Sequence, residues 1–300
     1  MGDRNSEAQL AFVEPRAAEN PVDSSAAPAA AARTSFWLPM LSLCSRELVR
    51  FSRQRSRVVG MVATPLLFWI FIGSGLGSSF HPPSASADSA AGAGYLQYFF
   101  PGTIIMIVLF TSVLANMSVI EDRREGFLLS VLVAPIYRLS LVLGKVLGGT
   151  IQSVVPGILF LLIGPAVGFH LHALQLLYLS GLLFLVSFCL TCMGFFIAWQ
   201  MDSAAGFHAV LNLVLIPMWL LSGSLFPASG ASVWIQWTMR LNPLTYGLDA
   251  LRRLLYWDAA VPDFGVAPLG LSLAVTVLFG IVTLVAALVW TGRPTTKNLG

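Results

Sequence analysis

The stretch "EDRREGFLLSVLVAPIYRLSLVLGK", Glu121 to Lys145, decides how the rest of the chain is read. It opens on five consecutive charges, Glu121, Asp122, Arg123, Arg124 and Glu125, and closes on Gly144 and Lys145. On either side the sequence is free of Asp, Glu, Lys and Arg for the length of a membrane-crossing helix. The apolar "FLLSVLV" inside it is too short to cross a bilayer, which takes roughly 20 helical residues. A segment of this kind belongs at a membrane face.

Composition agrees. Charged residues make up 10% and hydrophobic residues 56% of the chain, against about 25% charged in a soluble domain. The net charge of +3 gives no reason to expect a nucleic-acid partner. Three cysteines offer no disulfide framework. Cys189 and Cys192 form a CxxC, but they sit in an apolar run and are expected to pack as small side chains.

Six apolar runs are long enough to be spanning helices, near 58–78, 98–120, 146–168, 174–199, 207–226 and 267–291. In lipid, backbone polar groups must be satisfied within the segment, and the unalternating Leu, Ile and Val exclude barrel strands. The expected class is an all-α integral membrane protein. Lys and Arg placement sets its orientation. Arg46, Arg50, Arg53, Arg55 and Arg57 precede the first span. Arg123, Arg124, Arg138 and Lys145 lie between the second and third, and Arg293 and Lys297 follow the last. The 79–97 and 169–173 connections carry neither Lys nor Arg. Both termini and 121–145 are therefore expected in the cytoplasm. The 227–266 loop faces outward although it holds Arg240, Arg252 and Arg253. Asp249, three and four residues before the last two, is placed to pair with them on a helix.

Residues 1–34, rich in Ala, Pro and Ser, are expected to be a disordered tail, and 293–300 a short one. Over 35–57, Trp37, Leu41, Cys44, Leu48 and Phe51 form an apolar stripe, and Arg46, Arg50, Arg53 and Arg57 a basic one. That pattern predicts an amphipathic helix in the membrane interface, with its arginines at anionic head groups.

No catalytic signature is present. The chain has no Gly-x-x-x-x-Gly-Lys-Ser/Thr, Gly-x-Ser-x-Gly or His-Glu-x-x-His. His170 and His172 lack a third ligand nearby, so no metal is expected. Polar residues inside spans are neutral: Asn116, Gln152, Gln175 and Asn212. They suit interhelical hydrogen bonds or a mildly polar translocation surface, with packing favoured. Without a carboxylate at mid-membrane, an ion-coupled secondary transporter or channel is the alternative rather than the main expectation. Gly73/Gly77, Gly144/Gly148 and Gly164/Gly168 offer close helix approach. Within 121–145, the charges continue the second span past the membrane face. Pro135 ends a short flat helix, whose carboxylates and apolar side chains call for a protein partner.

The segment resembles the cytoplasmic signature of type-2 ABC exporter permeases through Glu121, Arg124, Glu125, Gly126, Pro135, Arg138, Gly144 and Lys145. "YLQYFFPG" (95–102), "LSGSLFP" (221–227) and "NPLTYGLDALR" (242–252) resemble further motifs of that family, in order, over roughly 35–292. The branch resembled includes daunorubicin-type drug exporters and nodulation lipo-oligosaccharide exporters. The resemblance implies a permease that pairs with a second copy, or a related permease, in the bacterial cytoplasmic membrane, and moves an amphiphile. A separate ATP-binding subunit would bind ATP and Mg, this chain holding no cofactor. Coupling to that subunit would fall to 121–145: Glu121, Asp122, Arg123, Arg124, Glu125, Gly126, Pro135, Arg138 and Lys145. Residues 241–256, with Asn242, Pro243, Tyr246, Asp249 and Arg252, would fold back into the outer leaflet as short re-entrant helices.

Overall fold

The computed structural model describes residues 35–76, 91–257 and 267–292. The two tails, most of the 79–97 connection and residues 258–266 of the outer loop lie outside the described residues. Every regular element among the described residues is a helix.

Helix α1 spans Trp37–Arg53 and meets α2, Arg55–Leu76, at a break on Gln54 (φ −93°, ψ 64°). Helix α3, Ala91–Ala115, begins before the expected membrane entry and runs almost straight into α4, Met117–Arg124. Gly126 then turns the chain at φ 75°, a conformation that costs a residue with a Cβ. Helix α5, Phe127–Val133, follows and stops as expected: Ala134 is extended (ψ 144°) ahead of Pro135. Helix α6 covers Arg138–Leu161, α7 Ala173–Gln200 and α8 Ala204–Trp219. Helix α9 covers Val233–Leu241, α10 Pro243–Leu255 and α11 Leu269–Gly292.

Five helical stretches are long and apolar enough to cross a membrane: Gly94–Arg124, Arg138–Leu161, Ala173–Gln200, Ala204–Ser224 and Leu269–Gly292. They match the expected second to sixth runs. The first run coincides with α2, whose apolar stretch among described residues, Ala63–Gly75, falls short of that length. The third run starts eight residues earlier than expected, because Arg138 to Lys145 are the first turns of α6 rather than loop. Its far end also differs: Gly164 opens a single 3-10 turn closed by Gly168 at φ 96°, so that glycine pair shapes a turn, with Gly164 against Phe100 of α3.

Helices α3, α6 and α7 form the enclosed centre. Fully buried Phe99, Ile104, Val108, Phe160, Leu183 and Phe195 fill the space between them. Gly149 and Gly194 let backbones close in; a Cβ on Gly194 would stand 2.6 Å from Asn116 Nδ2 and 2.9 Å from Val113 Cα. Helix α11 packs on α7 where Thr276, Gly280 and Thr283 meet Cys189, and its other buried residues, Ser272, Ala287 and Thr291, are also small. The opposite sides of α8 and α11 present Leu213, Ile216, Leu278 and Val282 outward.

Helix α1 lies against α6. Its buried side is Met40, Leu43, Cys44 and Glu47, while Trp37 and Leu41 are exposed. Helix α6 receives this side at Gly144 and Gly148. Cβ atoms there would meet Met40 O at 2.8 Å and Glu47 Cβ at 2.8 Å.

Candidate functional site

Three separate segments bring ionised side chains together where α1, α4 and the start of α6 meet. Lys145 Nζ donates to Glu47 Oε1 at 2.6 Å, to Ser118 Oγ at 3.3 Å and to Asp122 Oδ2. Lys145, Asp122 and Glu47 are 2%, 0% and 4% exposed. Arg46 closes over Asp122 with two bonds, at 2.8 and 3.0 Å, and lies 3.8 Å from the Phe127 ring centre. Its hydrogen bonds to Asp122 hold the guanidinium above its usual pKa despite partial burial. Arg50 reaches Asp122 at 3.0 Å, Glu121 at 2.7 Å and Glu125 at 3.6 Å. Buried charges in this number persist only because each is matched and hydrogen-bonded.

The expected coupling residues therefore divide. Asp122 and Lys145 face inward, where they join α4 and α6 to α1. Arg123 closes the end of α7, donating to Trp199 O at 2.7 Å and Met201 O at 3.0 Å. Arg138 donates to Thr291 O at 3.0 Å, at the end of α11. Glu121 stands at the rim. Arg124, Glu125 and Pro135 are exposed, as are the apolar Leu129, Val133 and Tyr137 of the same segment. Gly126 supplies the turn. Two arginines of the expected lipid-facing stripe, Arg46 and Arg50, meet protein carboxylates instead. Glu47 was not anticipated. Its signal is its position beside Leu43 and Cys44, on a helix whose other charges are basic.

At the other end of the bundle, three motifs far apart in sequence converge on Gly223. Its carbonyl accepts Tyr98 Oη at 2.7 Å and Arg252 Nη2 at 2.7 Å, and the Arg252 guanidinium lies 4.5 Å from the Tyr98 ring centre. Gly223 holds φ 87°. Trp219 Nε1 donates to Gly102 O at 3.0 Å, and a Cβ on Gly102 would stand 2.8 Å from Ser224 Cβ. Asn242 caps α10 by accepting from Leu244 N at 3.0 Å and donates to Met218 O at 2.6 Å; Pro243 starts the helix. Tyr246 donates to Arg240 O at 2.8 Å. Asp249 accepts from Ala267 N at 3.0 Å, and Arg253 donates to Ala267 O at 2.5 Å. The Asp249–arginine arrangement thus runs partly through backbone rather than as the simple helical pair expected. Burial pushes the Asp249 carboxyl up to about 6, against the pull of the Ala267 N–H and of Arg252 and Arg253.

The neutral polar residues divide as well. Asn116 donates to Ser112 O at 2.9 Å and Thr191 O at 3.2 Å, Gln152 to Glu47 O at 3.1 Å, and Gln175 to Leu254 O at 2.7 Å. These are packing bonds. Asn212 is exposed on α8. Cys189 and Cys192 are buried, and no group of metal ligands occurs among the described residues.

Between α2, α3 and α8 runs a groove of about 870 Å³. Pro65, Phe68, Met106, Phe110, Ile216 and Trp219 line its apolar length, and Gln54, Glu121 and His208 stand at the end near α5. The groove is apolar along its length and polar at one end.

The chain is similar in sequence to transport permeases. A putative transport permease, ycf38, of Cyanophora paradoxa is 26% identical over 74% of this chain and 76% of its own. The daunorubicin resistance ABC transporter permease protein DrrB1 of Streptomyces coeruleorubidus is 24% identical over 73% and 76%. Nodulation protein J of Rhizobium leguminosarum bv. trifolii is 22% identical over 66% and 73%. The family model for the ABC-2 type transporter matches residues 40–256, which hold both the charged cluster and the Gly223 node. This multi-pass membrane chain belongs to the ABC-2 type transporter family.

Proposed function

We propose that this chain is the permease subunit of an ATP-driven exporter that moves an amphiphile across the bacterial cytoplasmic membrane. It works with a separate ATP-binding subunit, which holds ATP and Mg. One observation carries this: a short helix, α5, presents exposed Leu129 and Val133, with exposed Tyr137 just beyond Pro135, beside Arg124 and Glu125, on a base fixed by buried ion pairs. Apolar side chains rimmed by charge at a membrane face are suited to a protein groove.

In this arrangement α5 and both termini are cytoplasmic. Helix α2 makes the sixth crossing, its length completed by its basic first turn. Helices α9 and α10 dip into the outer leaflet, where exposed Trp234 and Trp237 suit the head-group level. The groove between α2, α3 and α8 is the surface along which cargo passes, next to a second permease copy on the outward side of α8. Relatives named for daunorubicin resistance and for transport support export of this class.

The test is Glu125→Arg in the full chain co-expressed with its ATP-binding subunit. The residue is 59% exposed, so the fold should survive. Loss of co-purification with normal membrane insertion is expected. Unchanged co-purification and export would refute the docking role.

A further inference from the structure

The groove mouth and the exposed edge of α5 are separate places, yet one cluster of side chains touches both. Glu121 lines the mouth, and Arg50 holds it at 2.7 Å while also reaching Asp122 at 3.0 Å and Glu125 at 3.6 Å. Helix α2, which forms one wall of the groove, packs chiefly on α3 and joins this end of the molecule through α1 at Gln54. Gln54 itself lines the mouth. Helix α1 has no chain connection to α4 or α5. It is held to them by Arg46, which bonds Asp122 and covers Phe127, and by Arg50, which bonds Asp122 and Glu121, and to α6 by the Glu47–Lys145 pair and the close approach at Gly144 and Gly148.

We propose that Lys145, Asp122 and Glu47, with Arg50 at the rim, are positioning residues that carry a displacement of α5 through α1 to the first turns of α2, and so set the width of the groove mouth. The physical ground is that buried opposite charges do not part by degrees. Parting α1 from α4 would strip Asp122 of Arg46 and Arg50, and parting α1 from α6 would leave Glu47 and Lys145 charged without each other in a poorly polarisable interior, which is far costlier than shearing an apolar contact. Helix α1 therefore follows α4 and the first turns of α6 as one body, and the break at Gln54 takes up the change in direction. No substrate contact is assigned to the cluster.

This rests on the exporter reading above, and the experiment separates the two. The full chain with its ATP-binding subunit is reconstituted in lipid vesicles. Spin labels are placed at Val59→Cys on α2 and Ala209→Cys on α8, both exposed and flanking the mouth. The native thiols are buried and stay unlabelled. Label separation is measured at rest and after vanadate trapping of nucleotide. With the cluster intact, trapping is expected to shift the separation. In the size-matched neutral variant Glu47→Gln, Asp122→Asn, Lys145→Met, the ATP-binding subunit is expected to be captured and nucleotide trapped, with the separation left at its resting value. Arg50→Gln, a substitution at the half-exposed rim that leaves the buried triad in place, is expected to lose at least part of the shift and decides the matter if the triple variant does not fold. A full shift in either variant overturns the proposal alone. Failure of the unaltered chain to capture an ATP-binding subunit overturns the exporter reading, and this inference with it.

Discussion

Lys145 shows how one side chain changes its meaning between sequence and structure. As the last residue of a charged cytoplasmic stretch it reads as a surface contact. In the fold its ammonium is enclosed by Asp122, Glu47 and Ser118. Removing one partner from such a group costs about 3–5 kcal/mol, whereas replacing all members by neutral ones of like size is often neutral. Lys145→Met alone should therefore lower thermal stability in detergent sharply, while the triple variant, which leaves only the partly exposed Arg46 and Arg50 without the Asp122 charge, should melt well above it. Equal melting of the two variants would contradict the buried-charge description. The partner could not be found from spacing, because Glu47 lies 98 residues from Lys145 and its own neighbourhood is basic. Asp249 gives a second test at this scale. Its pKa is raised to about 6 in the fold from an ordinary 3.8, so folding favours the protonated form. That contribution is complete below about pH 4 and is lost as pH rises through about 6. Asp249→Asn can still accept from Ala267 N, so its stability relative to the unaltered chain should grow between those pH values and level off above. A flat difference would show that the arginines hold the carboxylate ionised.

Helices follow local chemistry where local chemistry is decisive. Helix α5 was legible because a short apolar run, a glycine turn and Pro135 need no distant partner. The starts and ends of α3 and α6 were less so, since neither the lipid boundary nor a change of charge marks where a helix begins. Helix α1 is amphipathic as its spacing predicts, but which of its sides meets protein is not readable from its own sequence. The reason lies in α6: Gly144 and Gly148 admit the backbone of Met40 and the Cβ of Glu47, a fit written in the other helix. Gly148→Ala should cost about 1–3 kcal/mol by overpacking and expose α1 to protease. Gly181→Ala, where a new Cβ meets nothing within 4 Å, should leave melting and proteolysis unchanged. The family's outer motifs were legible as motifs only. That "YLQYFFPG", "LSGS" and Arg252 meet at one carbonyl depends on the packing of α3 and α10 around a glycine at φ 87°.

At the scale of the whole molecule, charge divides the bundle into two unlike ends joined by an apolar middle. One end gathers α1, α4, α5, the first turns of α6 and the last of α11 around matched ions. The other gathers α9 and α10 around Gly223. Between them, apolar side chains on α8 and α11 face outward, as lipid or a second permease copy requires. Hydropathy marks six runs; five of them are helices long and apolar enough to cross, and in the other, α2, the apolar stretch among the described residues is Ala63–Gly75. The most direct measurement is capture of an ATP-binding subunit by the full chain from native membranes, compared between the unaltered protein and Val133→Asp. Val133 is 86% exposed at the tip of α5 and is free to change without disturbing the fold. An apolar side chain of this size buried at an interface contributes about 1.5–3 kcal/mol, so the charged replacement should reduce capture by about tenfold or more. Equal capture by both proteins, with ATP-dependent export retained, would contradict the assignment of α5 as the docking element.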